Sequence, residues 1–257
     1  MTNIYKTLRE STIISKRNLL KMMKTPDELI DTLMFPIIFL LMFTYIFGGA
    51  ISGSVSNYLP IVIPGILAVC VINTAGTTGT TLREDIETGI FSRFKSMPIS
   101  RIAPLSGKLM ADTIRFFISI LVTFIIAIIM GFWPVNGLMG FFLALLFMVF
   151  CGWCISWVFA FIGVLMRTSG SVQGIAAVIT FPLMFISNAF VPTNTMPKPL
   201  EIVANINPVT HIVNAVKDLL MGTNILSHEI FISLFIVVVI VLIFAPLTLK
   251  VYMKKEA

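Results

Sequence analysis

Residues able to do covalent or redox chemistry are few and scattered. His211 and His228 are the two histidines, and Cys70, Cys151 and Cys154 all stand inside apolar runs. Cys151 and Cys154 form a CxxC, whose i and i+3 positions share a helix face. Zinc usually takes four ligands, and no second pair or neighbouring histidine accompanies them. Gly107-Lys108 is the sole Gly-Lys pair, and Ile102 stands where a GxxxxGK[ST] phosphate loop needs its first glycine. No GxSxG or HExxH occurs. The sequence therefore predicts no catalytic, cofactor-binding or metal site on this chain. Any ATP chemistry, with its magnesium, falls to another polypeptide.

What remains is polar chemistry inside apolar segments, where such residues are costly and commonly functional. Asn73, Thr74, Thr77, Thr78, Thr80 and Thr81 crowd one such segment. They either line a substrate path, Asn73 and Thr77 foremost, or bond to neighbouring helices and their own backbone. Asp112 and Arg115 have i,i+3 spacing, as an interfacial ion pair or as a gating pair. Asn188 stands near the outer end of a later apolar run, placed to help close an outer gate.

The elements that position these residues follow from composition. The chain has 257 residues, 57% hydrophobic and 12% charged, against about 25% charged in a soluble domain. A soluble enzyme could not hide so much apolar side chain, and disorder needs the reverse composition. At about 20 residues per crossing, six spans are predicted: 29–48, 59–82, 109–132, 138–166, 172–190 and 230–249. Only Arg167-Thr168-Ser169-Gly170 separates the fourth from the fifth, as a tight turn. No strong internal repeat is visible, which disfavours an inverted-repeat secondary transporter.

Residues 1–24 form a basic amphipathic helix suited to the membrane interface. Ile4, Tyr5, Leu8, Leu19, Met22 and Met23 share one face, with Ser11, Thr12 and Ser15 near them; Lys6, Glu10, Arg17, Lys21 and Lys24 lie opposite, and Ile13 and Leu20 break the pattern. Thr25-Pro26-Asp27-Glu28 reads as a helix start with a capping box. The net charge of +6 belongs to cytoplasmic loops rather than to a nucleic-acid surface. Six Lys and Arg precede the first span, and Arg83, Arg93, Lys95, Arg101 and Lys108 follow the second. The other side holds Lys198 and Lys217. By the positive-inside rule both termini are cytoplasmic.

Two segments outside the spans carry pattern. In residues 83–101, Ile90, Phe91, Phe94 and Met97 fall on one helical face before Pro98 stops the helix. Such a helix either docks into a partner's groove or rests on lipid. In residues 191–227, Asn205, Asn207 and Pro208 interrupt apolar pieces too short to span. They predict two short helices, dipping in as an outer re-entrant hairpin or lying flat.

The sequence resembles a permease subunit of the type-two ABC transporter family, close to daunorubicin-resistance-type exporters. Glu87-Thr88-Gly89, Met97-Pro98-Ile99-Ser100-Arg101 and Gly107-Lys108 carry the resemblance, with Phe181-Pro182, Phe190-Val191-Pro192, Met196-Pro197 and Asn207-Pro208. Ser92 departs from the acidic residue often found there. The resemblance implies a single permease domain over 1–257, in a bacterial or archaeal plasma membrane. It makes Glu87, Gly89, Ile90, Phe91, Phe94, Met97 and Pro98 a coupling segment seated on an ATP-binding ABC subunit, which the N-terminal helix also touches. It implies two permease chains, identical or paralogous, meeting at the first and fifth spans, where Gly170 and Gly174 form a GxxxG that permits close approach. The expectation is an all-α membrane protein exporting a substrate with ATP hydrolysed by a partner. An ATPase-independent secondary transporter or channel is the alternative, separated by whether an ATPase is encoded alongside.

Overall fold

A computed structural model describes residues 2–100, 102–222 and 227–256; the side chains of residues 2–4, 26–29, 31, 92, 95, 194, 255 and 256 lie outside the description. All regular structure among the described residues is helical: α1 (Thr2–Lys24), α2 (Pro26–Ser52), α3 (Val55–Glu87), α4 (Ile90–Lys95), α5 (Ala103–Ile129), α6 (Gly137–Leu165), α7 (Ser169–Phe185), α8 (Lys198–Ile206), α9 (Pro208–Met221) and α10 (His228–Glu256). α2, α3, α5, α6 and α10 are long and apolar enough to cross a membrane; α7, at 17 residues, is shorter.

α3 is the central pillar, packed against α2, α5, α6, α7 and α9. Glycine brings its neighbours into backbone contact. A Cβ on Gly79 would overlap the Phe159 carbonyl, and one on Gly163 the Gly79 carbonyl, so α3 and α6 touch main chain to main chain. Small residues do this in membranes because lipid gives no hydrophobic drive for helix association. Pro60 and Pro64 lie inside α3; a bundle tolerates them where neighbours satisfy the freed backbone.

Several boundaries differ from the sequence reading. α3 runs on to Glu87 and α5 begins at Ala103, so the loop is shorter than 83–101 and Lys108 lies within a helix. Arg101 lies outside the described residues. α4 ends before Met97, because Pro98 disfavours helical geometry in the residue ahead of it. α7 ends at Phe185, not 190. Asn207 explains the stop: its Nδ2 donates to the Leu183 and Ile186 carbonyls, at 2.8 and 2.6 Å. Thr25 holds the N-cap position of α2 without capping it. Its hydroxyl donates to the Lys21 carbonyl at 2.9 Å, closing α1; Asp27 and Glu28 have no described side chains.

The hairpin of 191–227 resolves into unlike halves, with 223–226 outside the description. α9 buries Val209, Ile212, Val213, Val216, Leu219 and Leu220 among α3, α6 and α10. α8 stays at the surface, with Leu200, Ile202, Val203 and Ile206 exposed. Asn207 breaks the two apart, and its Oδ1 accepts from Val209 N at 2.9 Å, capping α9.

Candidate functional site

α2, α3, α5 and α7 line a partly open cavity of about 580 Å³. Its walls differ in chemistry. α2 contributes Phe35, Phe39 and Phe43, spaced i,i+4 so that their rings stack at 4.2 and 5.8 Å. α7 adds Phe181 and Phe185, with ring centroids 6.1 Å apart. α3 supplies the polar strip: Asn73, Thr77, Thr80, Thr81 and Glu84 recur at helical spacing on one face. The two residues singled out in the sequence, Asn73 and Thr77, therefore line the cavity. Thr74 and Thr78 are buried outside its lining.

The threonines also bond to their own helix. Thr77 Oγ1 donates to the Thr74 carbonyl and Thr81 Oγ1 to the Thr77 carbonyl, both at 2.8 Å. The threonines that line the cavity are thus also bonded to their own backbone. Arg115 reaches the cavity from α5. Asp112 bridges it, at 3.5 Å, to Lys108, at 3.7 Å, and all three are buried. Lys108 was missed as a partner, although its i,i+4 spacing to Asp112 was visible in the sequence.

Residues 186–190 pack beside the cavity-lining Phe43 and Phe185. Phe190 stacks on Phe43, with centroids 4.1 Å apart at 12°, and meets Phe185 at 5.5 Å. Tyr58 Oη, fully buried, donates to the Phe190 carbonyl at 2.9 Å. A Cβ on Gly65 would overlap the Ala189 carbonyl, so only glycine lets this segment cross α3. Asn188 does not line the cavity; its Nδ2 donates to Asn214 Oδ1, tying this segment to α9.

At the opposite end α1 lies along α5. Ser11 and Ser106 hydroxyls pair at 2.6 Å, Glu10 Oε2 accepts from Ser100 N at 2.8 Å, and Lys21 meets Asp85 at 3.4 Å. The face of α1 that packs is Ser11, Ile14, Ser15, Asn18 and Met22; it shares Met22 with the apolar set of the sequence reading and Ser11 and Ser15 with that set's border. Tyr5, Leu8 and Met23 remain exposed. Ile13, which broke the pattern, joins Phe94, Met97 and Ile99 in an apolar groove edged by Glu10 and Arg17. The Arg17 guanidinium sits 5.3 Å from the Phe94 ring centroid.

The expected coupling residues therefore divide. Phe91 faces inward, with Tyr252 edge-on at 5.4 Å, in a cluster with Leu82, Leu105, Leu109 and Val164. It is a core residue of this chain, not an exposed anchor. Phe94 and Ile90 are half-buried, and Met97 and Pro98 exposed. Gly89 has φ of 71°, left-handed geometry that turns α3 into α4 at little cost for glycine alone. Glu87 reaches elsewhere: its carboxylate accepts from Ser169 N at 2.8 Å and from Arg83 Nε at 3.2 Å. A carboxylate at a helix N-terminus meets the positive end of the helix dipole. Gly170 and Gly174 lie on the exposed face of α7, with open space where a Cβ would stand.

Comparison with known proteins agrees with this architecture. Residues 9–221 match the ABC-2 type transporter family. The chain is 35% identical over 232 residues to the daunorubicin resistance ABC transporter permease protein DrrB1 of Streptomyces coeruleorubidus, covering 90% of this chain and 82% of that one. It is 25% identical over 218 residues to the putative transport permease ycf38 of Cyanophora paradoxa, covering 82% and 74%. With the match spanning α1 through α9, the chain belongs to the ABC-2 type transporter family as a multi-pass membrane permease.

Proposed function

We propose that this chain is the membrane subunit of an ATP-driven exporter, with ATP and magnesium held by a separate ABC subunit and no catalytic site of its own. The observation that carries the proposal is the junction at Glu87. The segment leading into α4 is hydrogen-bonded to the first residue of α7, and α3 and α7 are two walls of the cavity. A push on the α1–α4 end therefore reaches the cavity through helix ends.

In this reading α7 is the short fifth of six crossings. α1 and the C-terminal end of α10 face the cytoplasm, and membrane lipid surrounds α10. The ATPase seats on the groove of Ile13, Phe94, Met97 and Ile99, with Glu10 and Arg17 at its edge. Lys21–Asp85 and Glu87–Ser169 carry its closure to α3 and α7. A second permease chain packs on the exposed α7 face at Gly170 and Gly174 and covers the cavity between α2 and α7. Asn73 and Thr77 line the path, and Asn188 braces its outer closure. Nucleic acid has no role.

The test is reconstitution of the chain with and without its ATPase in vesicles loaded with candidate cargo. Cargo should move only with the ATPase and ATP. Flux through the chain alone would replace the exporter with a secondary transporter or channel.

A further inference from the structure

The packing of α1 divides its cations. Lys6 meets Glu10 at 3.9 Å, Lys21 meets Asp85 at 3.4 Å, and the Arg17 guanidinium stands over the Phe94 ring. Arg9 and Lys16 are engaged with nothing of this kind. Both are exposed, and neither side chain has a partner among the described residues. Neither has an acidic residue three or four positions away, where helical ion pairs form. They stand two turns apart, about 10 Å along the axis, on the side of α1 opposite its packed face. Tyr5, Leu8 and Met23 form an exposed apolar strip along one flank of this pair. Thr12 joins the strip, its hydroxyl turned back to the Leu8 carbonyl at 2.9 Å. Ile13 and Arg17, which line the groove, lie on the other flank.

Going beyond the exporter reading, we propose that this face of α1 is a binding surface for anionic phospholipid. Arg9 and Lys16 meet the phosphates, and Tyr5, Leu8, Thr12 and Met23 lie against the acyl chains. Two cations about 10 Å apart do not share one small anion, but a bilayer offers them a sheet of phosphates. Basic and apolar strips running side by side along a helix suit the boundary between headgroups and chains, and long basic side chains reach out from it with their stems on apolar surface. Zwitterionic lipid offers the same apolar depth without net charge, so the preference between the two lipids rests on Arg9 and Lys16.

The test uses the full chain carrying Thr12→Cys, labelled with a bimane fluorophore; the native cysteines are buried. The labelled chain is placed in nanodiscs of equal parts phosphatidylglycerol and phosphatidylcholine, with brominated acyl chains on one lipid or on the other. Bromine quenches the fluorophore on contact, so the ratio of the two quenching levels reads the preference at constant composition. One basic residue at an anionic surface corresponds to about a fivefold preference. The labelled chain should favour phosphatidylglycerol at least fivefold. The ratio should fall towards one in about 1 M salt, where the screening length is about 3 Å. Adding Arg9→Gln and Lys16→Gln should remove at least fivefold of the preference with the melting temperature unchanged. Adding Arg9→Lys and Lys16→Arg instead, which keeps both charges, should preserve it. Equal quenching by both lipids would mean that α1 rests on the bilayer without reading its charge. Quenching by neither would mean that another protein or a second copy covers the face. Either result, a preference that survives Arg9→Gln with Lys16→Gln, or one lost in the charge-keeping variant would overturn the proposal. No ATPase is present, so failure here leaves the exporter reading standing, and failure of that reading leaves this surface intact.

Discussion

Phe91 and Met97 show how two residues on one short apolar stripe take opposite roles. Phe91 is packed under Tyr252 and the ends of α3, α5 and α6, whereas Met97 is half exposed beside Ile13. Phe91→Ala should act on the fold. Emptying a packed Phe site costs about 3–5 kcal/mol, read as a lower melting temperature of the purified permease. Ile13→Asp with Met97→Asp should act on docking, with melting unchanged. Each replaces an apolar anchor by a charge at the groove, and a loss of about 1.4 kcal/mol weakens binding tenfold. Recovery of the ATPase in co-purification should fall at least that far. If Phe91→Ala alone abolished recovery at full thermal stability, the inward placement of Phe91 would be refuted. Tyr58 makes a similar residue-scale case at the other end. Tyr58→Phe leaves the buried Phe190 carbonyl without its donor, at about 1–3 kcal/mol, and loosens the seal of residues 186–190. A raised ATP-independent leak of cavity-sized probes in vesicles is expected; unchanged leak would show that the Phe43–Phe190 stack holds the closure without the tyrosine.

Among the elements, α3 and α1 were each legible in part. Asn73, Thr77, Thr80 and Thr81 recur on one helical face, and polar side chains in a span must find partners, but which of the six polar residues meet a cavity depends on where α2 and α7 pack, which the spacing leaves open. In α1 the sequence set Met22 on the apolar face with Ser11 and Ser15 beside it, and all three pack; Ile14 and Asn18, which pack with them, were not foreseen. Small hydroxyl residues let it approach Gly107 of α5, where a Cβ would come within 2.8 Å of the Ser11 carbonyl oxygen. A hydropathy stripe ranks such residues last, although close approach decides packing in membranes. The direction of Phe91 was illegible for another reason. On six residues of α4, Phe91 and Phe94 are equivalent until Tyr252, some 160 residues later, arrives beside one of them. The Glu87–Ser169 contact was hidden likewise by sequence distance, and it carries the prediction at this scale. Glu87→Gln keeps an acceptor for Ser169 N but loses the charge that favours the start of α7, worth about 0.3–1 kcal/mol; Glu87→Ala loses both. Both should retain the ATPase, since Glu87 lies outside the groove. Glu87→Ala should hydrolyse ATP with transport reduced severalfold, and Glu87→Gln should fall between. Hydrolysis and transport falling in parallel in Glu87→Ala would mean the junction serves docking or stability instead of transmission.

For the whole molecule, the question is which way the bundle sits. α1 and the last turns of α10 lie at one end, joined through Lys21–Asp85 and Phe91–Tyr252. Thr195, just before α8, lies beyond the far end of α7. Lys and Arg concentrate at the first end: Lys6, Arg9, Lys16, Arg17, Lys21, Lys24, Arg83 and Arg93 stand there, against Lys198 and Lys217 at the other. Basic residues near span ends are commonly retained in the cytoplasm, and on that ground we propose that the groove faces the compartment that supplies ATP. The three cysteines are buried, which leaves a low background for labelling. In intact cells a membrane-impermeant maleimide should modify Thr195→Cys and spare Arg93→Cys, and permeabilised cells should show both. Both positions are exposed, so protection at 93 reports the bilayer rather than packing. The reverse pattern would place the Ile13–Met97 groove outside the cell, out of reach of any cytoplasmic ATPase. The docking, transmission and export readings would then fail together, because each needs that groove on the ATP side.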